Sequence, residues 1–245
     1  MELQPLIIFT DGAARKNPGP GGWGAVLVQT ELSEVVELGG NKPHTTNNEM
    51  ELTAIVSALS YAVNTTAAIH IYTDSSYVIK GITQWIHGWK ANNWQTQAKQ
   101  DVSHRAIWEQ LDELVTSISQ QGSIMWHHVP GHAGVPGNER ADTIATMLAD
   151  GNNPQLYRGN IVGYGHENIT DVSMIQAARQ EKQKASSGKA FAYLSVVDGL
   201  LEKHDDWASC QKRVHGKKAL YRKALSPEHA QEIIQSWKND GHIVQ

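Results

Sequence analysis

The sequence predicts an α/β protein: a mixed five-stranded sheet, its first three strands antiparallel, flanked by helices and followed by a small C-terminal α+β unit. Three observations predict it. Short apolar runs of strand length crowd the first 40 residues, helical apolar spacing alternates with buried strands up to residue 149, and composition and charge change after that point.

Leu6–Thr10 reads as a short strand running into Asp11-Gly12, and Pro18-Gly19-Pro20-Gly21-Gly22 as a turn. Trp23–Gln29 and Glu34–Leu38 follow as two more strands of a meander. Asn47 and Asn48 are candidate caps for a helix carrying Met50, Leu52, Ile55, Val56, Leu59 and Val63 on one face. Ile69–Thr73 is a strand ending at Asp74. Ser75 or Ser76 then opens a helix bearing Val78, Ile79, Ile82, Trp85, Ile86 and Trp89, and Ala91–Gln100 is a polar loop. Ser103–Ser119 is an amphipathic helix, Ile124–Val129 a strand and Asn138–Leu148 a helix, so the later strands arrive by helical crossovers. Asp150–His166, rich in Gly and Asn, reads as a linker. Thr170 or Asp171 would cap a connecting helix through about Ala185, ended by Ser186-Ser187-Gly188, and the small unit begins at Lys189. The domains expected are therefore 1–149, a linker and connecting helix over 150–188, and a basic unit over 189–245.

Hydrophobic content of 40% is too high for a disordered chain, and no apolar stretch is long enough to span a bilayer. Cys210, the one cysteine, excludes an intramolecular disulfide and suits a reducing compartment. The start, MELQPLIIFTDG, lacks the basic region of a signal peptide, and the expected location is cytoplasmic. Charge is unevenly spread: residues 1–155 carry 8 Lys/Arg against 15 Asp/Glu, or −7, and residues 156–245 carry 13 against 10, or +3. Residues 203–223 alone hold 7 basic and 2 acidic side chains, or +5, so the two halves are expected to do different work.

Four acids stand out by position: Asp11 and Asp74 at strand ends, Glu51 one turn into the first helix, and Asp142 in the last helix of the first domain. An ionised acid beside a buried apolar run is costly to desolvate without a partner. Two at neighbouring strand ends repel unless a cation lies between them. If the first and fourth strands are adjacent, Asp11 and Asp74 face one crevice, and an oxygen-rich pocket suited to magnesium or manganese results. Each acid taken singly fits a turn cap or a solvated helix position equally well.

The surrounding motifs narrow this. TDGAARKNPGPGGWGAVL, TTNNEMELTAI, YTDSSYVIKGITQWIHGW and HVPGHAGVPGNERADTIA occur in that order, and together they resemble type 1 ribonuclease H over roughly residues 5–149. The resemblance implies that Asp11, Glu51, Asp74 and Asp142 are the metal-binding acids and that His132 is a catalytic histidine assisting proton transfer or product release. It also implies a two-metal hydrolysis of the RNA strand of RNA–DNA hybrids, leaving 5′-phosphate and 3′-hydroxyl ends, with two magnesium ions for which manganese can substitute. By the same match Asn17, Asn47 and Asn48 contact hybrid backbone and sugars, Thr46 lies near a DNA phosphate and Trp85 packs on a DNA sugar. Trp85 fits core packing equally well, since it shares a face with Ile82 and Ile86. Two departures matter: the segment GWKANNWQTQAKQDV carries only Lys90 and Lys99 where bacterial relatives often have a basic protrusion, and Glu49 sits where a basic residue is common. A domain at −7 has weak long-range attraction for a polyanion.

The C-terminal region supplies the complement. Lys212, Arg213, Lys217, Lys218, Arg222 and Lys223 cluster around Gly216, with Trp207 and Tyr221 interleaved, the mixture that neutralises phosphate and packs on sugars or bases. The order Trp207, Cys210, Val214, Gly216, Ala219, Tyr221, Lys223 is similar to the hybrid-binding domain of eukaryotic type 1 ribonucleases H, also seen in viroplasmin-like modules. Here the module is C-terminal, whereas the family carries it at the N-terminus. The resemblance implies binding of RNA–DNA hybrid, with double-stranded RNA as a second candidate ligand. Trp207 and Tyr221 fit the core of a very small domain as an alternative. No membrane partner is expected, and the expected state is a monomer. Two rival readings remain at this point: an integrase-like or DNA-directed nuclease on the same scaffold, and a non-catalytic hybrid-binding protein.

Overall fold

Apolar alternation and glycine placement build the first sheet of the structure, a computed structural model that describes residues 4–131, 133–173, 175, 190–239 and 241–242. Strands β1 (Leu6–Ala14), β2 (Gly19–Gln29) and β3 (Glu34–Thr45) form an antiparallel meander, with Leu6 opposite Gln29 and Gln29 opposite Glu34. All three run beyond the apolar runs that announced them. The Pro-Gly stretch is the main correction: residues 15–18 make the turn, and Gly19–Gly22 already belong to β2. Those glycines serve packing. A β-carbon on Gly22 would lie 2.4 Å from the Ala145 carbonyl oxygen, so only a bare backbone lets the helix above it settle.

Strand β4 (Ile69–Thr73) pairs in parallel with β1, and β5 (Ile124–His128) in parallel with β4. A sixth strand, β6 (Arg158–Asn160), pairs antiparallel with β3, giving the order β5-β4-β1-β2-β3-β6. The mixed sheet is as expected, with one strand more. That strand comes from Asp150–His166, whose middle section is therefore not a linker but a sheet edge followed by a 3₁₀ turn at Ile161–Gly163. Gly and Asn content concealed it, because three residues of strand leave no periodicity to read.

Helix α1 (Asn47–Tyr61) is capped by Thr46, whose hydroxyl accepts from the Glu49 N–H; Asn47 and Asn48 are its first two residues and not its cap. Ser75 caps α2 (Ser76–Lys80), which passes through one π turn at Gly81–Trp85 into α3 (Ile86–Ala91). Helices α4 (Arg105–Ser119) and α5 (Pro136–Ala149) complete the unit. Strand alternation divides the interior in two: Ile8, Leu27 and Ile71 pack with Leu52, Leu59 and Trp108 of α1 and α4, while Phe9, Val26 and Val28 pack with Ile144 of α5. Tyr164, Ile169 and Ile175 join the second core, so the first unit extends to Ile175.

The chain divides there into two compact units. The expected connecting helix up to Ala185 lies almost wholly outside the described residues. The second unit is α+β as expected. Strands β7 (Ala192–Val197), β8 (Leu200–His204) and β9 (Ala219–Ala224) form an antiparallel sheet in the order β8-β7-β9, with α6 (Trp207–Val214) and α7 (Pro227–Asn239) connecting and closing it. Leu194 and Val196 pack with Ile233 and Trp237 of α7, whereas Val197 packs with Cys210 and Val214 of α6. Each face of β7 thus carries its own helix.

Candidate active site

Parallel pairing of β1 with β4 ends at Thr10 opposite Thr73, so Asp11 and Asp74 are the next residues on two adjacent strands. Gly12 admits the third acid. A β-carbon there would sit 2.2 Å from the Glu51 nitrogen and 2.4 Å from the Met50 carbonyl carbon; without it, α1 crosses directly over β1 and delivers Glu51 beside Asp11. Gly24 does the same for the fourth, since a side chain would meet the Ala141 oxygen at 2.4 Å and lift α5, with Asp142, off β2. Asp11, Glu51, Asp74 and Asp142 thereby line one cleft of about 420 Å³, together with Asn47, Arg15 and Thr146.

Charge in this cleft is frustrated. Burial, then repulsion from Asp74, Asp142 and Glu51, pushes the Asp11 carboxyl up to about 8, although the Gly12 N–H donates to its Oδ1 at 2.6 Å. Burial also raises Glu51, which accepts a very short hydrogen bond from the Ser75 hydroxyl and is repelled by Asp74. Thr146 donates to Asp142 at 3.2 Å. The donor set is all oxygen and strongly negative, which fits a hard divalent cation. Among the described residues no three acidic or imidazole side chains converge on one point in this arrangement, so the carboxylates face one another across the cleft without closing a coordination shell. The fit is one of chemistry and repulsion.

The remaining candidates divide into groups. Asn47 Oδ1 accepts from the Ala14 N–H at 2.6 Å, and Asn17 Oδ1 accepts from the Asn47 N–H at 3.1 Å, so both side chains lock the β1–β2 turn onto the start of α1. Asn48 is exposed on the first turn. Thr46 Oγ1 lies 3.4 Å from His104 Nε2, a residue that sequence reasoning passed over because nothing in its own neighbourhood marks it. Glu49 is neutralised locally by Lys42 at 2.5 Å and accepts a hydrogen bond from the Thr45 hydroxyl at 2.7 Å. Trp85 is not core: it is 36% exposed at the rim of an aromatic group, its ring 6.1 Å from Tyr77 and 5.7 Å from Trp89. His132 lies outside the described residues, but its neighbour Gly131 faces Asp74 closely enough that a β-carbon there would lie 3.1 Å from Oδ2. The sequence marks Ser75 only as a helix cap and gives Arg15 no role, although Ser75 bonds the cleft acid Glu51 and Arg15 lines the cleft.

In the second unit Lys212, Lys217, Lys218 and Arg222 are exposed and Lys223 is half-buried. Trp207 (39% exposed) and Tyr221 (54%) stand 5.4 Å apart, with Tyr193 5.6 Å from Trp207, a half-open aromatic row and not a closed core. Arg213 is the exception among the expected basic contacts. It donates to the Ser195 hydroxyl (3.0 Å) and the Leu200 carbonyl (3.0 Å) and pairs with Glu202 (2.9 Å), holding α6 on the sheet.

A family model described as RNase H matches residues 4–150. The ribonuclease H of Polaromonas sp. (strain JS666 / ATCC BAA-500) is 51% identical over 142 residues, covering 58% of this chain and 86% of that protein. That of Bradyrhizobium sp. (strain ORS 278) is 51% identical over 144 residues, covering 59% and 89%. Among solved structures, LC9-RNase H1, described as a type 1 RNase H with the type 2 active-site motif, aligns with a TM-score of 0.55 at 24% identity over 73% of this chain and 86% of that one, a likeness of fold. No helix among the described residues is long and apolar enough to cross a membrane.

Proposed function

Because the chain belongs to the ribonuclease H family, as an endoribonuclease acting on RNA–DNA hybrids, we propose that the four-carboxylate cleft is its catalytic centre. The single observation that supports this reading is the meeting of Asp11, Glu51, Asp74 and Asp142, from four separate elements, in one cleft. These residues would hold two divalent cations, magnesium or manganese in its place, which when bound supply Lewis-acid activation of water and neutralise charge at the leaving 3′-oxygen. Asp11, the most buried of the four, would hold a cation at the back of the cleft. Thr46, Asn17, Asn47 and Asn48 flank the cleft and would position the hybrid backbone, with Trp85 against a DNA sugar. His132 would move the proton that accompanies product departure. Cleavage would leave 5′-phosphate and 3′-hydroxyl ends, and the 2′-hydroxyl would mark the strand to be cut.

The second unit would supply grip through Lys212, Lys217, Lys218, Arg222 and Lys223, with Trp207 and Tyr221 packing on sugars or bases of hybrid or double-stranded RNA. A strand-labelled hybrid incubated with magnesium, with and without chelator and beside double-stranded DNA and RNA, tests the reading. Cleavage of the RNA strand alone, abolished by chelator and by Asp11→Asn, is expected; an Asp11→Asn protein cutting at the wild-type rate would remove the site assignment. In the full chain, Lys217→Ala/Lys218→Ala should raise KM for the hybrid several-fold, and an unchanged KM would end the role given to the second unit.

A further inference from the structure

The cleft contains one cationic side chain among the described residues that line it, within electrostatic reach of Asp142 but hydrogen-bonded to none of the four carboxylates. Arg15 begins the turn between β1 and β2, its N–H donating to the Pro20 carbonyl at 2.7 Å. The bonds from Asn47 to Ala14 and from Asn17 to Asn47 anchor that turn on α1, so the root of Arg15 stands in fixed register with Asp11 and Glu51. Its guanidinium reaches across the cleft mouth to Asp150, at the end of α5, donating through Nε at 2.6 Å and Nη2 at 2.8 Å. Nη1 donates to nothing among the described residues.

This pair is open to water, the two side chains being 43% and 44% exposed, and an exposed ion pair of that kind contributes little net stability. A guanidinium offers five donors in a planar fork that matches two oxygens of a phosphate as well as those of a carboxylate. The surrounding chain is short of such groups: residues 1–155 hold 8 basic against 15 acidic side chains, and the segment GWKANNWQTQAKQDV has only Lys90 and Lys99 to offer. Apart from the cations the carboxylates would hold, a phosphodiester backbone led into this cleft meets a positive side chain of its lining only at Arg15.

We propose that Arg15 is a substrate-binding residue that grips a backbone phosphate of the hybrid at the mouth of the cleft, with Asp150 as its resting counter-ion, which competes with the phosphate for the guanidinium. The inference rests on the proposed hybrid-cleaving function. Two roles could fall on the same guanidinium: a grip on phosphate, and a simple staple between the turn and α5. Breaking the pair from either side distinguishes them, because Arg15→Gln removes both roles, whereas Asp150→Asn removes the staple and leaves the cation.

The test is steady-state cleavage of a short RNA–DNA hybrid by the full chain at several salt concentrations. Arg15→Gln should raise KM roughly 5–10-fold at about 0.1 M salt with kcat changed less than about twofold, and should flatten the salt dependence of log KM by about one unit of slope, as expected when one phosphate is no longer neutralised. Arg15→Lys, which keeps the charge and loses the fork, should keep the slope with a smaller rise in KM. Asp150→Asn should leave KM unchanged or lower it. Equal rises in KM for Arg15→Gln and Asp150→Asn would overturn the proposal in favour of the staple, and an unchanged salt slope in Arg15→Gln would overturn it outright. Should Arg15→Gln fold poorly, a salt slope flattened by Arg15→Lys as well would count against it equally. A wild-type protein that does not cut hybrid at all would instead remove the functional reading beneath it.

Discussion

Arg140 of α5 and Glu37 of β3, 103 positions apart in the chain, are joined edge to edge, Nε to Oε1 at 2.6 Å and Nη2 to Oε2 at 2.9 Å. The same carboxylate accepts the Tyr164 hydroxyl at 2.5 Å and the Tyr157 N–H at 2.9 Å, so every lone-pair direction of a fully buried group is used. One carboxylate ties together the sheet, the helix that carries Asp142, and the segment that carries β6. Burial opposes ionisation of Glu37, but the hydrogen bonds from Arg140, Tyr164 and Tyr157 outweigh it and hold the carboxyl below its ordinary range.

Removing one partner of such a pair strands the other. Glu37→Gln should cost about 3–5 kcal/mol in urea unfolding near neutral pH, and Tyr164→Phe about 1.5–3 kcal/mol. A carboxyl depressed in the folded state stabilises above its unfolded value of about 4.5 and loses that contribution as pH falls through the folded one, so the gap between wild type and Glu37→Gln should narrow on acidification below that value. A gap that stays constant down to strongly acid pH would contradict the account.

Asp11 runs the opposite way. Below 3.8 both folded and unfolded states hold its proton; between there and about 8 the folded state alone keeps it, so metal-free stability declines as pH rises and the loss is complete above about 8. In chelator near pH 8, Asp11→Asn should therefore be more stable than wild type, by about 1–3 kcal/mol. Magnesium should raise the melting temperature of wild type and much less that of the variant. Thermal melts at several pH values, with chelator or magnesium, check this; a variant less stable than wild type in chelator would show that Asp11 is not electrostatically frustrated.

Gly12→Ala tests the close crossing of α1. The added methyl meets backbone atoms of Met50 and Glu51, which cannot rotate away, so α1 must shift. A loss of about 1–3 kcal/mol and a fall in kcat of tenfold or more are expected, the second because Glu51 moves with the helix. Wild-type kcat in a stably folded Gly12→Ala protein would mean that the helix position is not what places Glu51.

Arg213→Ala should act on stability rather than on binding. Its hydrogen bonds to Ser195 and Leu200 and its pairing with Glu202 surround a buried Ser195–His204 contact of 2.8 Å, so its loss should lower the unfolding transition of the second unit by about 2–3 kcal/mol. Calorimetry of the full chain should show the second unit shifted and the first unchanged. A protein with unaltered melting and weakened hybrid binding would return Arg213 to the set of ligand contacts.

The order of the first five strands and their helices, the capping role of Ser75 and the strand-end positions of Asp11 and Asp74 were legible because each leaves a local mark: a period of two or 3.6, a hydroxyl before a helix, a carboxylate at the end of an apolar run. The family resemblance extended this to function, since motifs in a fixed order carry information that spacing lacks. Other facts were written in no local pattern. That Thr10 pairs with Thr73, so that Asp11 and Asp74 become neighbours, is a choice among strand orders made by packing of the whole sheet. Gly19–Gly22 read as a turn because glycine permits turns, but pairing of Gly21 and Gly22 with Ala14 and Ala13 of β1, and α5 lying against Gly22, decided that they be strand. Residues 158–160 are strand because β3 offers an edge and Glu37 offers a carboxylate, and Arg213 is structural because Ser195 and Glu202 happen to face it. Short-range preference is a property of the segment; partnership across a hundred residues exists only once the chain has closed on itself.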